Sequence, residues 1–149
     1  MKLEDMTLDV EQHVDVQGSL NDVFKSVLNR LGAGFAGPDG ASLQLSLEEF
    51  AGGRWYRDRG EGIQHLWGHV QVIKPPTLIE LSGPMFMSYP AINHLEVKLD
   101  ETDGGTTVTL RHRAVGMIDP QHREGVTQGW NGFLESVKSD FGKTSGSPA

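Results

Sequence analysis

His112 lies among aliphatic residues at a position where a histidine can bind a ligand or take part in catalysis. Over residues 106–114, Val108, Leu110 and Ala114 alternate with polar residues, so a β-strand there carries His112 on the same face as those apolar side chains. A histidine in that position either orients a ligand through a hydrogen bond or acts as a general base near neutral pH. The alternative is a structural histidine, because buried polar groups nearly always have hydrogen-bond partners.

The preceding strand pattern, over residues 93–99, extends this inward face. Its alternation sends Leu95, Val97 and Leu99 inward, and Asn93 falls on the same side. How the two strands pair is open. A four-residue loop over 102–105 pairs Leu99 with Thr106 and, across a bulge, Val97 with Val108. A longer loop pairs Val97 with Leu110. The candidate ligand-binding residues of this face are His112, Asn93, Leu95, Val97 and Leu110.

Aromatic and basic residues follow a double glycine at 52–53. Trp55 and Tyr56 are neighbours on a predicted strand, so one of them lines the interior and the other the outside, and both are candidate ligand contacts. The arginines of the same segment (Arg54, Arg57 and Arg59) form either exposed salt bridges, each worth at most about 1 kcal/mol, or, in one case, a buried site for a ligand carboxylate.

Soft and aromatic side chains form a third candidate site. Met85, Phe86 and Met87 occupy a loop bounded by prolines, where they form either an adaptable lid over a pocket or a hydrophobic cluster that closes the end of the sheet. Trp130 and Phe133 lie on one face of the predicted C-terminal helix. Gly129 and Gly132 beside them either leave room for a ligand or allow a strand to approach closely.

Metal and nucleotide chemistry have little support. On a strand, His65 and His69 are about 13 Å apart, too far to share a zinc ion. The chain has no cysteine and no phosphate-binding or serine-hydrolase motif. The sequence therefore predicts no metal site and no cofactor, and it assigns no catalytic residue.

The elements that position these residues can be predicted from periodicity. An alternating strand at 8–16 precedes a helix from about Leu20 to Leu31, with Ser19 as its N-cap and Gly32 as its C-cap. About six antiparallel strands follow, and an amphipathic helix runs from Pro120 to Phe141. This order predicts an α+β fold in which a curved sheet of about seven strands wraps around the C-terminal helix.

Length and composition limit the alternatives. A chain of 149 residues that is 37% hydrophobic and 22% charged is typical of one folded domain, assigned here to residues 1–141, with a disordered tail at 142–149. A net charge of −7 with scattered basic residues disfavours nucleic-acid and membrane partners. The first residues lack the pattern of a secretion signal, so we expect a cytoplasmic protein, as a monomer or homodimer.

Several short motifs resemble one superfamily. They are Gly-Gly-Arg-Trp at 52–55, Trp-Gly-His-Val at 67–70, Pro-Pro-Thr-Leu at 75–78, the strand at 105–112, and Gly-Trp-Asn-Gly-Phe-Leu at 129–134. In order and spacing they resemble the START-like, polyketide-cyclase and birch-pollen-allergen superfamily (SRPBCC), in particular the branch related to the activator of the 90-kilodalton heat-shock protein ATPase. The resemblance covers roughly residues 5–140. It implies a helix-grip fold with an internal pocket for an apolar or amphipathic molecule.

Three functions follow from the pattern and the resemblance. The favoured function is binding of a small hydrophobic or amphipathic ligand in a cavity between the sheet and the C-terminal helix. The second is a cyclase- or dehydratase-like enzyme that uses the same pocket, with His112 or an inward carboxylate as acid or base. The third is an interaction module that resembles a chaperone cofactor, without a pocket.

Overall fold

The computed structural model of the protein describes residues 2–37 and 39–145, with side chains described up to residue 142. A short 3₁₀ turn at Leu3–Met6 precedes seven strands and two helices in the predicted order. Their bounds are β1 Thr7–Val16, α1 Leu20–Leu31, β2 Leu45–Leu47, β3 Arg54–Asp58, β4 Gln64–Lys74, β5 Leu78–Gly83, β6 Ala91–Thr102, β7 Gly105–Gly116 and α2 Pro120–Ser145. No helix in this described part is both long enough and apolar enough to span a bilayer.

The strands form one antiparallel sheet in the order β1-β7-β6-β5-β4-β3-β2. The long helix α2 lies against β1 and against α1. Its apolar face, which includes Val126, Trp130 and Val137, is buried. The α+β helix-grip fold expected from the strand pattern and the motifs is therefore confirmed.

Helix α1 has the ends that the sequence predicts. The Ser19 hydroxyl accepts a hydrogen bond of 3.2 Å from the backbone N–H of Asp22, which satisfies one of the free donors of the first turn. At the other end, the backbone N–H of Gly32 donates to the carbonyl of Leu28 at 3.0 Å. Capping at both ends accounts for the agreement between the predicted and the observed bounds.

The hairpin between β6 and β7 is tighter than either predicted loop. Thr102 pairs with Gly105, so the turn contains only Asp103 and Gly104, and Gly104 adopts the positive φ of 86° that such a turn favours. The predicted pairing of Leu99 with Thr106 is therefore wrong, since Leu99 faces Val108. Val97 does pair with Leu110, but because both strands continue to the turn and not because the loop is long.

The inward alternation of β6 and β7 is confirmed. Asn93, Leu95 and Val97 are fully buried on β6, as are Leu110 and His112 on β7. Burial of a leucine or valine contributes about 1.5–3 kcal/mol, so this face is a main source of stability.

The C-terminal helix runs further than expected. It continues through residue 145, where the sequence pattern placed the end of the domain at 141 and a disordered tail at 142–149. Residues 146–149 of that predicted tail lie outside the described residues.

Candidate functional site

A partly open cavity of about 820 Å³ lies beside α2. One wall is formed by residues 121–136 of α2, a second by the loop that follows α1, and a third by the sheet and the loop before β6. The lining residues are Arg30, Gly34, Phe35, Ala36, Gly37, Leu43, Arg57, Trp67, Phe86, Gln121, His122, Gly125, Val126, Gln128, Gly129, Trp130, Gly132, Phe133 and Ser136. The cavity thus occupies the edge of the space between the sheet and the helix, on the side of β3 and β4.

Three glycines of α2 line this cavity. Gly125, Gly129 and Gly132 are spaced by four and three residues, which places them on one face of the helix. A Cβ atom built on any of them would meet nothing within 4 Å. The missing side chains therefore leave open space along the helix and are not required for close packing with a neighbouring element.

Aromatic rings surround Phe35 at the inner end of the cavity. The Phe35 ring centroid lies 5.8 Å from that of Trp67, 6.2 Å from that of Trp130 and 6.0 Å from that of Phe133. Phe86 completes the group with a centroid 5.8 Å from that of Trp67. Most of these pairs meet edge to face, the arrangement that aromatic quadrupoles favour. These five rings (Phe35, Trp67, Phe86, Trp130 and Phe133) form the aromatic wall of the cavity, which is apolar and closely packed.

Trp67 brings one unusual polar atom to this wall. Its side chain is 3% exposed, and its indole N–H has no hydrogen-bond partner among the described residues. By contrast, the indole N–H of Trp55 donates to the carbonyl of Leu31 at 2.7 Å, which ties β3 to the end of α1. An unpaired buried donor costs about 1–3 kcal/mol, so Trp67 lowers the stability of this wall.

Two arginines lie at the rim of the cavity. The guanidinium of Arg30 binds Asp140, through Nε at 3.0 Å and through Nη2, and this hydrogen bonding lowers the pKa of Asp140. Arg57 donates from Nε to the carbonyl of Leu43 at 2.6 Å. The positive charge of Arg30 is therefore neutralised by Asp140, whereas Arg57 has a carbonyl and no carboxylate as its partner among the residues that the structure describes.

His112 belongs to a buried network behind the cavity wall. Trp130 donates its indole N–H to Nδ1 of His112 at 2.9 Å, and Nε2 of His112 lies 2.6 Å from Oδ1 of Asn93. The Asn93 amide nitrogen in turn donates to the carbonyls of Gly83 and Pro84. The imidazole must therefore be neutral with its hydrogen on Nε2. Burial lowers the pKa of His112 to about 4 from an ordinary value of 6.5.

This lowered pKa predicts an acid-sensitive fold. Between about pH 6.5 and pH 4, the unfolded chain binds a proton at His112 and the folded protein does not. We therefore expect the free energy of unfolding to fall with falling pH by about 1.4 kcal/mol per unit, and by roughly 3 kcal/mol in total. Denaturant titrations at several pH values measure the slope. The substitution His112→Gln removes the titrating group, and an unchanged slope in that variant would contradict the assignment.

Comparison with known proteins identifies the family. The model of the family described as Activator of Hsp90 ATPase homolog 1-like protein matches residues 38–142, which is more than half of the chain. The chain belongs to this family. The match confirms the resemblance to the SRPBCC superfamily, and to its branch related to the ATPase activator, that the motifs indicated. No curated protein matches the chain in sequence.

Solved structures show the same fold for other proteins. A protein of Rhizobium leguminosarum superposes with a TM-score of 0.67 at 16% identity, covering 89% of this chain and 92% of that one. A protein of unknown function from Staphylococcus aureus gives a TM-score of 0.67 at 12% identity, with coverages of 95% and 97%. The di-domain ARO/CYC protein StfQ of the steffimycin biosynthetic pathway gives a TM-score of 0.66 at 16% identity. The match covers 97% of this chain and 54% of the StfQ chain.

Six of the residues singled out in the sequence line the cavity of this family member. They are Phe86, Trp130 and Phe133 of the candidate ligand contacts, together with Arg57, Gly129 and Gly132. The other candidates lie elsewhere. Leu95, Val97, Leu110, Met85 and Met87 are buried in the core, and Asn93 and His112 form the network behind Trp130.

The pair at the start of β3 divides as the alternation requires. Trp55 is fully buried, next to Trp67 at a ring distance of 5.1 Å. Tyr56 is half-buried below the guanidinium of Arg54, 4.5 Å from its ring centroid, and neither aromatic residue lines the cavity. Arg54 forms a salt bridge with Glu48 at 3.0 Å, one of the exposed pairings expected for this segment.

Sequence reasoning missed Phe35, Trp67 and Gly125 as lining residues. Phe35 lies in a glycine-rich loop with no periodicity, so no pattern indicates where its ring points. Gly125 continues the spacing of Gly129 and Gly132 by one further turn, and this extension was the available signal. His65 and His69 both lie on β4, as predicted, and the described residues contain no group of three potential metal ligands.

Proposed function

We propose that this protein binds a small apolar or amphipathic molecule in the cavity beside α2. The observation that carries the proposal is the 820 Å³ space between the aromatic wall and the glycine face of the helix. Sites for drug-sized ligands are typically about 300–1,000 Å³ and mostly apolar, so this space has the size and the lining of such a site.

The three glycines of α2 that line the cavity lower the stability of the helix and leave the space beside it open. In a helix interior, glycine is about 0.8–1.0 kcal/mol less favourable than alanine. Each of Gly125, Gly129 and Gly132 has room for at least a methyl group, so packing does not explain their presence. Room for a ligand against the helix backbone does explain it.

The shape of the walls favours a ligand with flat rings. A molecule that lies on the glycine face contacts peptide groups of α2 and can also reach the rings of Phe35 and Trp67, which line the same cavity. Aromatic side chains of this kind contribute about 0.5–1.5 kcal/mol per ring pair beyond burial. The same fold occurs in the ARO/CYC protein StfQ of the steffimycin biosynthetic pathway, which supports a small-molecule ligand for this space.

The buried histidine supports binding over catalysis. Both ring nitrogens of His112 are engaged, one by Trp130 and one by Asn93, and the residue does not line the cavity. A general base must reach the proton that it abstracts, directly or through one water molecule. We therefore assign His112 a structural role, which is to pair the buried indole N–H of Trp130 and the side-chain oxygen of Asn93.

Titration with N-phenylnaphthylamine, a neutral fluorescent dye with flat rings, tests the proposal. We expect a saturable fluorescence increase with one site per chain, and a Tm that rises with dye concentration because only the folded state binds. Neither a saturable signal nor a shift in Tm up to the solubility limit of the dye would contradict the proposal. An interaction module without a ligand site, the alternative suggested by the family name, predicts that negative result.

A further inference from the structure

The arginines of this protein differ in whether an acid neutralises them. Arg54 pairs with Glu48 at 3.0 Å and Arg111 with Asp9 at 2.9 Å, both on the sheet surface. Arg30, at the cavity rim, pairs with Asp140. Arg57, the other arginine that lines the cavity, forms no ion pair with any carboxylate in the described part of the chain.

Arg57 is nevertheless held in a defined position. It is half-buried on β3, and its Nε donates to the carbonyl of Leu43 in the adjacent loop that leads into β2. This bond occupies one edge of the guanidinium. The terminal nitrogens Nη1 and Nη2 have no partner among the described residues. A planar guanidinium with two free donors matches the two oxygens of a carboxylate.

Charge in the cavity is unbalanced in favour of an anion. None of the described residues that line it is an aspartate or a glutamate. The nearest acid in sequence, Asp58, accepts from the backbone of Gly60 at 2.9 Å and from the side chain of Gln64 at 3.1 Å, so its carboxylate is already engaged. A chain of net charge −7 therefore presents a positive group at the mouth of an apolar space.

We propose that the ligand is an apolar ring-containing molecule that ends in an anionic oxygen group, such as a carboxylate, and that Arg57 binds this group. The inference rests on the proposed function and adds the ligand's charge and the residue that recognises it. The apolar body lies between the glycine face of α2 and the aromatic wall, and the anionic end reaches Nη1 and Nη2 at the rim. Because the site is partly shielded from water, the ion pair is stronger than a fully exposed one.

A matched pair of dyes tests the charge separately from the cavity. Anilinonaphthalene sulfonate has the ring system of N-phenylnaphthylamine plus one anionic group, which stands in for a carboxylate. We expect Arg57→Met to reduce the affinity for the sulfonate dye by about tenfold or more, because the variant loses a hydrogen-bonded charge. The neutral dye should change by less than about twofold, since its contacts are with the apolar walls. The control Arg59→Met removes the same charge from an exposed residue of the same segment and should change neither affinity.

A salt series on the unchanged protein needs no substitution. Added sodium chloride should lower the affinity for the sulfonate dye and leave the affinity for the neutral dye unchanged, because salt screens an ion pair at a partly open rim. Arg57→Lys keeps the charge and should retain part of the sulfonate affinity, which covers the case in which Arg57→Met does not fold.

The outcomes separate the two proposals. One outcome is that the neutral dye binds while Arg57→Met lowers the affinity for both dyes equally, or changes neither affinity. In either case the charge inference is wrong and the cavity proposal stands. If the sulfonate dye is insensitive to salt, the charge inference is also wrong. If neither dye binds, the proposed function fails, and the charge inference fails with it.

Discussion

Replacing Gly129 by phenylalanine is expected to reduce the affinity for N-phenylnaphthylamine by at least about tenfold, because a ligand then has to displace a well-buried ring from the centre of the site. Gly129 is the middle residue of the glycine face, and a Cβ atom there meets nothing within 4 Å. The new ring therefore enters the space that the ligand needs. Fluorescence titration measures the loss, and circular dichroism checks that the helix is intact.

Two variants of the same helix serve as controls. Gly129→Ala adds only a methyl group, so it should retain dye binding and raise the free energy of unfolding by about 0.5–1 kcal/mol. Gly142→Phe introduces the same ring at a glycine of α2 that does not line the cavity, and it should bind the dye normally. Normal dye affinity in Gly129→Phe would place the binding site elsewhere.

Replacing His112 by leucine is expected to destabilise the protein without weakening dye binding. The substitution leaves the indole N–H of Trp130 and the side-chain oxygen of Asn93 buried and unpaired. Each unsatisfied group costs about 1–3 kcal/mol, so the free energy of unfolding should fall by roughly 2–6 kcal/mol. Dye affinity should stay within about twofold when measured where the variant is folded, because His112 does not line the cavity.

Trp130→Phe separates the hydrogen bond from the packing of the ring. It removes the donor to Nδ1 of His112 and keeps an aromatic ring against the cavity. We expect a smaller loss of stability, about 1–3 kcal/mol, because fewer buried polar groups lose their partners. A large loss of dye affinity in His112→Leu at unchanged stability would instead assign the histidine to the ligand.

Most of the fold could be predicted from local patterns. Ser19 and Gly32 mark the ends of α1 because capping depends only on neighbouring residues. Alternation placed His112 and Asn93 inside because a strand has a period of two whatever its partner is. The sequence at Asp103-Gly104-Gly105 predicts a hairpin turn, but the register of β6 against β7 also depends on the loop length, and the predicted loop had four or more residues where the structure has two.

The cavity could be predicted only in part, because it depends on contacts between distant segments. Trp130 and Phe133 were found from helical periodicity, which identifies the apolar face of α2. That periodicity does not show that the loop after α1 folds back and places Phe35 against them. The space next to Leu95 is filled by core side chains, and the opening lies at the edge of the sheet near β3 and β4.

The NMR signals of the three tryptophan indole N–H groups provide the most direct test of ligand binding in this cavity. Trp67 and Trp130 line it and Trp55 does not, so each signal reports on a known position. The signals are assigned with single Trp→Phe variants. Titration of 15N-labelled protein with N-phenylnaphthylamine should then give saturable chemical-shift changes for Trp67 and Trp130 and a much smaller change for Trp55. Unchanged signals at saturating dye, or the largest shift at Trp55, would contradict binding between α2 and the aromatic wall.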